Sequence, residues 1–385
     1  MKVCFADFFF ESEGKFMDIN KVKPKMKKAY PVVFMKKKVY VGGFGEITKY
    51  DDSDGAISRL IKLLDGRLTV EEIAKQISLD FPQYSKKDVR EAIDSISKDG
   101  FIEDVNLIGS DILTPYELER YHRNINFFSS FSTLSDNKFL AQKKICNAKI
   151  GIIGLGGLGS HIVYDLAGLG FGTIKAVEFD KVDISNLNRQ ILYNFEDIGK
   201  SKAKLAQKRI AAFNPEVNFE VTEKKIGSAR DIEEEFKGFD ALILVADRPK
   251  MLLAGWVNEA ILKLNVPLFC AGLEAQRAMH YTIIPHQTGC IECWKNSVKD
   301  ENPVSYAILE ERRRLDLTGD NTALVPLVST ITGFLCVELV KYITGIGELT
   351  ALGKLKSINF NTMETSIAET WGLDKNCKVC GGGHG

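Results

Sequence analysis

Residues 148–159 read AKIGIIGLGGLG, and this stretch decides the fold class of the chain. Its first half is apolar and predicts a buried strand over 148–153. Its second half places glycines where the strand ends and a helix over 159–167 begins: Gly154, Gly156, Gly157 and Gly159. Glycines in such a turn let the backbone approach phosphate oxygens, and the helix N-terminus supplies N–H donors. The stretch therefore predicts a nucleotide phosphate bound over the turn of an α/β domain.

From this point onward strands alternate with helices, which is the pattern of a parallel sheet. Further strands are predicted over 174–179 and 241–245. The first of them ends with Glu178 and Asp180, roughly 20 residues after the turn, where an acid can accept hydrogen bonds from ribose hydroxyls. The sequence thus predicts a Rossmann-like domain, a fold that would suit a dehydrogenase as well as an enzyme that transfers a nucleotidyl group.

A small α+β domain of the winged-helix type is predicted over residues 31–105. Short β-prone pieces broken by glycines come first, and three amphipathic helices follow. Thr69 with Glu72, and Ser85 with Asp88, form capping boxes at the starts of the second and third helices. The third helix, KKDVREAIDSISK, carries both charge signs, which disfavours DNA binding. The predicted divisions are an N-terminal segment 1–30, the winged-helix-like domain 31–105, a connector 106–147 and the α/β domain 148–385.

The composition limits the expected partners. Lys plus Arg and Asp plus Glu number 51 each, so a polyanion such as nucleic acid is not the expected partner. We find neither a secretory pattern at the N-terminus nor an apolar run of membrane-spanning length, so we expect a cytoplasmic protein without a membrane partner. Lysines crowd residues 21–38, which predicts either a solvated surface or a strip that attracts an acidic peptide.

Two CxxC pairs, Cys290 with Cys293 and Cys377 with Cys380, predict a structural zinc site. Four thiolates complete a tetrahedral zinc site without an open position, and cytosolic pairs at this spacing favour metal over disulfide. Redox pairs or free thiols are the alternatives, and His384 is a rival ligand. Cys270 lies in an apolar strand and is interpreted as a core thiol, not as a nucleophile.

The segments after the second strand indicate the protein family more specifically than the glycine turn does. Residues 180–190 read DKVDISNLNRQ and residues 198–202 read IGKSK. With the glycine turn, they closely resemble the superfamily of ubiquitin-activating enzymes and their ThiF/MoeB relatives in thiamine and molybdopterin biosynthesis. The resemblance covers about residues 118–381 and implies an ATP-dependent enzyme that adenylates the C-terminal carboxylate of a peptide or protein.

The resemblance also implies roles for individual residues. Asp247 would hold Mg²⁺, Glu178 would take the ribose position, and Arg123 would reach the γ-phosphate from the other subunit of a homodimer. The implied catalytic residues are Arg123, Arg189, Lys202 and Asp247. The implied nucleotide-binding residues are Gly154, Gly156, Gly157, Gly159, Glu178, Asp180, Asn186 and Gln190. Fixed cations and a metal would offset the charge that builds up when a carboxylate attacks an α-phosphate.

Further segments resemble the branch that nucleotidylates microcin C-type peptides: RYHRNINFF at 120–128, ADRP at 246–249 with GWVN at 255–258, and PHQTGC at 285–290. That branch implies a short ribosomally made peptide, held in part by a peptide-recognition domain that adds the peptide leader to a sheet edge. Residues 31–105 resemble such a domain, and a purely structural domain is the alternative. The competing functions are a sulfur-carrier-protein adenylyltransferase, a peptide-tailoring enzyme that activates side-chain carboxylates, and a precursor-binding scaffold without catalysis.

Overall fold

The structure is a computed structural model that describes residues 21–43, 45–249, 252–315 and 322–381. The chain divides into an N-terminal unit, residues 1–143, and a C-terminal unit, residues 144–385. The predicted boundaries at 30/31 and 105/106 both fall inside the N-terminal unit. The predicted start of the α/β domain at residue 148 falls just after the division.

The N-terminal unit combines short strands with short helices. Its strands are β1 (Pro24–Met26), β2 (Val32–Met35), β3 (Lys38–Gly43), β4 (Glu46–Asp51) and β5 (Ile102–Asp104). Its helices are α1 (Ala56–Leu63), α2 (Val70–Asp80), α3 (Lys86–Lys98), α4 (Pro115–Arg120), α5 (His122–Ser129) and α6 (Phe139–Asn147), the last of which continues past the division. Strands β2, β3 and β4 form an antiparallel meander, and β1 pairs with β5. A meander followed by three helices is the order that the sequence predicts for a winged-helix-like domain.

Both predicted capping boxes form. The N–H of Thr69 donates to Glu72 Oε2 at 2.8 Å, and the N–H of Glu72 donates back to Thr69 Oγ1 at 3.3 Å. Ser85 and Asp88 repeat the exchange at the start of α3. These contacts pair N–H groups that a helix start leaves without partners, and they fix where α2 and α3 begin. The buried faces of the two helices are the predicted ones: Val70, Ile73 and Ile77 in α2, and Val89, Ile93 and Ile96 in α3.

Lys27 departs from the solvated surface predicted for the lysine-rich stretch, because its side chain is buried. Its ammonium donates to the carbonyls of Gly100 at 2.7 Å, Ser129 at 2.5 Å and Ser132 at 2.6 Å. Burial lowers the pKa of Lys27 to about 8, so the group remains protonated at neutral pH and can donate to all three carbonyls. Lys27 therefore ties the segment after β1 to the ends of α3 and α5.

Lys27→Met is expected to destabilise the N-terminal unit by roughly 3 kcal/mol, because three buried carbonyls lose a charged donor. Native-state hydrogen exchange of the α2 and α3 amides measures this change. Lys28→Met is the matched control, since Lys28 is exposed and its replacement should shift the opening free energy by less than about 0.5 kcal/mol. Equal exchange rates in the two variants would contradict the assignment of Lys27 as a structural donor.

The C-terminal unit alternates strands and helices before it ends in antiparallel strands. Its strands are β6 (Lys149–Ile153), β7 (Thr173–Val177), β8 (Asn218–Thr222), β9 (Ala241–Leu244), β10 (Leu268–Glu274), β11 (Arg277–Ile283), β12 (Lys354–Asn359) and β13 (Thr365–Thr370). Its helices are α7 (Gly157–Leu169), α8 (Lys202–Phe213), α9 (Ala229–Phe236), α10 (Leu253–Leu264), α11 (Ile291–Glu301), α12 (Pro303–Arg314) and α13 (Val325–Thr344).

These strands form one mixed sheet in the order β13-β12-β11-β10-β9-β6-β7-β8. Strands β10, β9, β6, β7 and β8 are mutually parallel, and β11, β12 and β13 extend the sheet in antiparallel fashion. The chain moves outward from β6 to β8 and then returns to the other side of β6 as β9. Neighbouring crossovers therefore diverge between β6 and β9, which creates a crevice at the carboxyl ends of these strands. The predicted Rossmann-like fold class is confirmed.

Helix α13 is long and apolar enough to span a membrane by length and composition alone, so the expectation that the chain has no apolar run of this length is wrong. Half of its apolar window is buried, and the helix packs against α7 and against strands β10 and β11. Val328 near its start also lines the crevice described below. The buried side of α13 therefore contributes to the core of the C-terminal unit through its contacts with α7, β10 and β11.

Candidate active site

The glycine turn lies in the crevice at the topological switch point. It follows β6, and its last residues begin α7, so the positive end of the helix dipole and the first N–H groups of α7 face the crevice. The segment after β9 carries Asp247, and the segment after β7 carries Glu178 and Asp180. The carboxyl ends of three adjacent parallel strands therefore bring these side chains to one edge of the sheet.

Close packing explains why two positions of the turn must be glycine. Gly154 has a φ of +99°, a conformation that L side chains rarely adopt. A Cβ on Gly159 would lie 2.0 Å from the carbonyl oxygen of Gly154, so the first turn of α7 rests directly on the preceding turn. A Cβ on Gly154 would lie 2.8 Å from the Cβ of Ala246. The turn is therefore in close contact with the segment that carries Asp247.

Arg189 and Gln190 approach the turn from the segment between β7 and α8. The ideal Cβ position of Gly157 is 3.4 Å from Cγ and Cδ of Arg189, and that of Gly156 is 3.8 Å from Nε2 of Gln190. The guanidinium of Arg189 donates to the carbonyl of Ser185 at 2.9 Å. Asn186 precedes these two residues in a 3₁₀ turn, and its side-chain oxygen accepts from the N–H of Asp183 at 3.1 Å, which closes that turn.

Acidic and basic groups also line the cleft where β7 ends and α8 begins. Both oxygens of the buried Glu178 carboxylate accept backbone N–H groups. Asp180 is half exposed and pairs with the buried Lys202, whose Nζ lies 3.4 Å from Oδ2 of Asp180. The N–H of Lys202 also donates to the Asp180 carbonyl at 3.0 Å. The start of α8 is thereby held against the end of β7.

The glycine turn and the segments after β7 and β9 line a cleft of about 480 Å³, a size usual for small-molecule sites. Most of the predicted site residues line it: Gly154, Gly156, Gly157, Glu178, Asp180, Asn186, Arg189, Gln190, Lys202 and Asp247. Gly159 lies beneath the turn as a packing residue. Arg123 lies on α5 of the N-terminal unit, and its contact with a triphosphate stays a prediction.

The cleft is also lined by side chains that were not predicted from the sequence, among them Phe179, Lys224 and Arg248. Lys224 follows β8, and Arg248 follows Asp247, so each comes after the carboxyl end of a parallel strand and could have been found by that rule. A hydrogen bond from Lys224 to Asp231 raises the pKa of Lys224, which therefore stays cationic at neutral pH. The cleft thus holds more positive charge than the sequence motifs indicate.

The four predicted zinc ligands come together elsewhere in the C-terminal unit. Their sulfur atoms all lie within 4.8 Å of one another, and three pairs are separated by 3.8, 3.8 and 3.3 Å. Zinc–sulfur bonds of about 2.3 Å in a tetrahedron place sulfur atoms roughly 3.8 Å apart, so the spacing fits zinc. Cys290 and Cys293 lie at the start of α11, and Cys377 and Cys380 lie in the C-terminal segment. His384, the rival ligand, lies outside the described residues.

A doubly wound sheet with a glycine turn at its switch point and charged side chains around it defines a nucleotide-binding domain of the Rossmann-like class. The sequence pattern of the ThiF family matches residues 121–379, more than half of the chain. The protein therefore belongs to the ThiF family, and the membership predicted from the motifs is confirmed.

Sequence relatives and solved structures cover different shares of this chain. The sulfur carrier protein adenylyltransferase of Thermus thermophilus is 29% identical over 275 residues, which cover 70% of this chain and 92% of that one. The sulfur carrier protein ThiS adenylyltransferase of Escherichia coli is 28% identical over 68% of this chain and 95% of its own. The crystal structure of E. coli MccB with ATP covers 93% of this chain and 99% of that chain, with a TM-score of 0.73 at 22% identity. The shared fold thus extends beyond the segment that matches the ThiF family.

Gly159→Ala is expected to destabilise the C-terminal unit by about 1–3 kcal/mol, because the added methyl group would overlap the Gly154 carbonyl. Gly333→Ala is the matched control: Gly333 is also helical, and a Cβ there would meet nothing within 4 Å. Its gain in helix propensity should leave stability unchanged or raise it by up to about 1 kcal/mol. The free energies of unfolding of both variants are measured by chemical denaturation, and local opening is measured by hydrogen exchange of the β6 amides. Equal effects of the two substitutions would contradict the packing role of Gly159.

Proposed function

We propose that this protein is an ATP-dependent adenylyltransferase that activates the C-terminal carboxylate or amide of a short ribosomally made peptide. The observation that carries the proposal is the convergence of Arg189, Lys202 and Asp247 on one cleft beside the glycine turn. A triphosphate needs backbone N–H donors and fixed cations, and an adenylation site must also hold a second anion close by.

The reaction that fits is an in-line displacement at the α-phosphorus. A carboxylate oxygen of the peptide forms a bond to that phosphorus, and the bond from phosphorus to the bridging oxygen breaks. Pyrophosphate leaves with the electron pair. A carboxylate nucleophile is already ionised at neutral pH, so its attack requires no general base, and catalysis rests on positioning and charge stabilisation.

The cleft residues would divide this work. Arg189 against Gly157 and Lys202 beside Asp180 would offset the charge on the phosphates and on the leaving pyrophosphate. Asp247 would hold Mg²⁺, which would neutralise phosphate charge when bound. Arg123 from the second subunit of a homodimer would complete the site. Oε1 of Gln190 is buried without a hydrogen-bond partner in the part of the chain that the structure describes, which suits a site that awaits a ligand donor.

The N-terminal unit supports a peptide substrate. Strands β2 and β4 form the two edges of its three-stranded sheet, and neither edge pairs with another strand within the described ranges. Val33, Phe34 and Met35 on β2 are about half exposed. An apolar edge with unpaired backbone groups is a ready template for an added strand, so an extended leader segment could bind there through main-chain hydrogen bonds.

A sulfur-carrier-protein adenylyltransferase is the second candidate, and the sequence relatives favour it because two of them carry that name. Such an enzyme would take a small folded protein that ends in Gly-Gly. Its relatives match about 70% of this chain. The ThiF family pattern begins at residue 121, so most of the N-terminal unit lies outside it. The presence of this additional unit, with a sheet edge that could bind a leader, favours a peptide substrate over a folded carrier protein. A scaffold without catalysis is disfavoured because Arg123, Arg189, Lys202 and Asp247 are all present.

We also propose that Cys290, Cys293, Cys377 and Cys380 hold one structural zinc ion. The sulfur spacing supports this, and all four are free thiols. The two halves of the site are far apart in the sequence, so a bound metal would fasten the C-terminal segment to the start of α11.

Asp247→Ala is expected to reduce ATP–pyrophosphate exchange by at least about a hundredfold, because the site loses its metal-binding carboxylate. Binding of the peptide leader, measured by fluorescence anisotropy, should remain unchanged because it depends on the N-terminal unit. Asp300→Ala is the matched control, since Asp300 is an exposed aspartate on α11 outside the cleft. Wild-type turnover in Asp247→Ala would contradict the role of Asp247.

The same exchange assay separates the candidate functions. The wild-type protein should catalyse ATP–pyrophosphate exchange in the presence of a short peptide encoded beside its own gene. Exchange with a Gly-Gly-terminated carrier protein alone would favour the second candidate and exclude the peptide. Absence of Mg·ATP binding in calorimetry would instead favour the scaffold.

The purified protein is expected to contain one zinc ion per chain by plasma mass spectrometry, and Cys377→Ser should lose it. Residues 365–381 should then become more accessible to proteolysis, since the metal no longer fastens them. Cys146→Ser, a change at a cysteine outside the cluster, should keep the full zinc content. A zinc-free protein with intact disulfides on non-reducing peptide mapping would establish the redox alternative.

A further inference from the structure

The peptide groups of Leu155, in the middle of the glycine turn, are held from both sides. The N–H of Leu155 donates to Oε2 of Glu178 at 2.8 Å, and its carbonyl accepts from the hydroxyl of Tyr193 at 2.9 Å. All three residues are buried. Leu155 is therefore fixed by two side chains that come from different segments, one from the end of β7 and one from the segment after Gln190.

The Glu178 carboxylate accepts hydrogen bonds from further backbone N–H groups besides that of Leu155. Its other oxygen, Oε1, accepts from the N–H groups of Phe179 at 2.7 Å and Asp180 at 2.8 Å. A carboxylate offers about four lone-pair sites, and three of those of Glu178 are in use. Charge-assisted bonds of this kind are among the stronger ones in proteins. Glu178 thus ties the glycine turn to the end of β7.

The Tyr193 hydroxyl controls the orientation of the next peptide plane. The carbonyl of Leu155 and the N–H of Gly156 belong to one planar group and point in opposite directions. Fixing the carbonyl on Tyr193 therefore fixes the direction of the Gly156 N–H in the cleft. Glycine has no Cβ to resist rotation of this plane, so an external hold is needed. Burial, together with the nearby Glu178 carboxylate, raises the pKa of Tyr193, and its hydroxyl remains a donor.

We propose that Tyr193 and Glu178 are positioning residues that orient the Leu155 peptide groups for phosphate binding, and that Asp180, not Glu178, takes the ribose hydroxyls. The inference rests on the proposed nucleotide site. Asp180 suits the ribose because its side chain is half exposed in the cleft and keeps free acceptor capacity beside Lys202. The longer side chain of Glu178 reaches back to the turn, so the position implied by sequence resemblance performs a different task here.

Tyr193→Phe tests the hold on the turn. Loss of one buried hydrogen bond should weaken Mg·ATP binding about fivefold in calorimetry, while binding of adenosine, which has no phosphates, should not change. General damage to the site would weaken both ligands equally and would overturn the inference. Tyr164→Phe is the matched control, because Tyr164 lies on α7 outside the cleft and packs edge-to-face on Phe213.

Hydrogen exchange of the nucleotide-free protein provides a readout that does not depend on the proposed function. The amides of residues 154–157 should exchange about fivefold faster in Tyr193→Phe than in the wild type, with β7 and β9 unchanged. Wild-type protein that fails to bind Mg·ATP would sink the proposed function and, with it, the nucleotide role of the turn. Wild-type binding of Mg·ATP with unaltered exchange and affinity in Tyr193→Phe would sink the positioning role alone.

A comparison of ATP with 2′,3′-dideoxy-ATP assigns the ribose contact. The wild type should prefer ATP by about tenfold or more, as expected for hydrogen bonds to a charged group. Asp180→Ala should abolish this preference, whereas Glu178→Gln should weaken both ligands and keep the preference. The opposite pattern, or a wild type that does not distinguish the two nucleotides, would overturn the assignment of Asp180.

Discussion

The close approach between the first turn of α7 and the carbonyl of Gly154 is the constraint on which the site depends. A Cβ on Gly159 would lie 2.0 Å from that carbonyl, so the helix can begin where it does only with glycine there. Because the helix begins directly above the strand end, its N–H groups face the crevice between β6 and β9. Under the proposed function, a displaced helix would remove these donors from the phosphates that the cations of the cleft would bind.

The second requirement is the order of the strands. Parallel neighbours place their carboxyl ends at one edge, and the reversal between β6 and β9 opens that edge into a cleft. Residues far apart in sequence, such as Lys202 and Asp247, therefore line one volume. Local contacts then set the details: Arg189 lies on Gly157, and Lys202 pairs with Asp180. The convergence of these side chains on one cleft follows from topology first and from side-chain contacts second.

Features written in short sequence patterns could be predicted, and features created only by tertiary packing could not. The strand–glycine–helix stretch, the capping boxes of Thr69 and Ser85 and the two CxxC pairs each depend on residues within a few positions of one another. Lys27 looked like its solvated neighbours, because its carbonyl partners at Gly100 and Ser129 lie about 70 to 100 positions away. The same holds for Tyr193, whose hydroxyl finds Leu155 only after folding. For Glu178, charge and position were visible in the sequence, but the direction of its longer side chain was not.

Under the proposed function, separate units for peptide capture and for chemistry address a problem of affinity. A C-terminal residue alone offers few contacts, so it would bind weakly in a cleft whose cations are already engaged by phosphates. A leader held on a sheet edge raises the effective concentration of that residue to the order of millimolar without a new contact at the reacting atoms. Sequence preference can then reside in β2 and its exposed apolar side chains, while the cleft stays specialised for charge. This division would let relatives with different substrates keep one adenylation site and change only the unit in front of it.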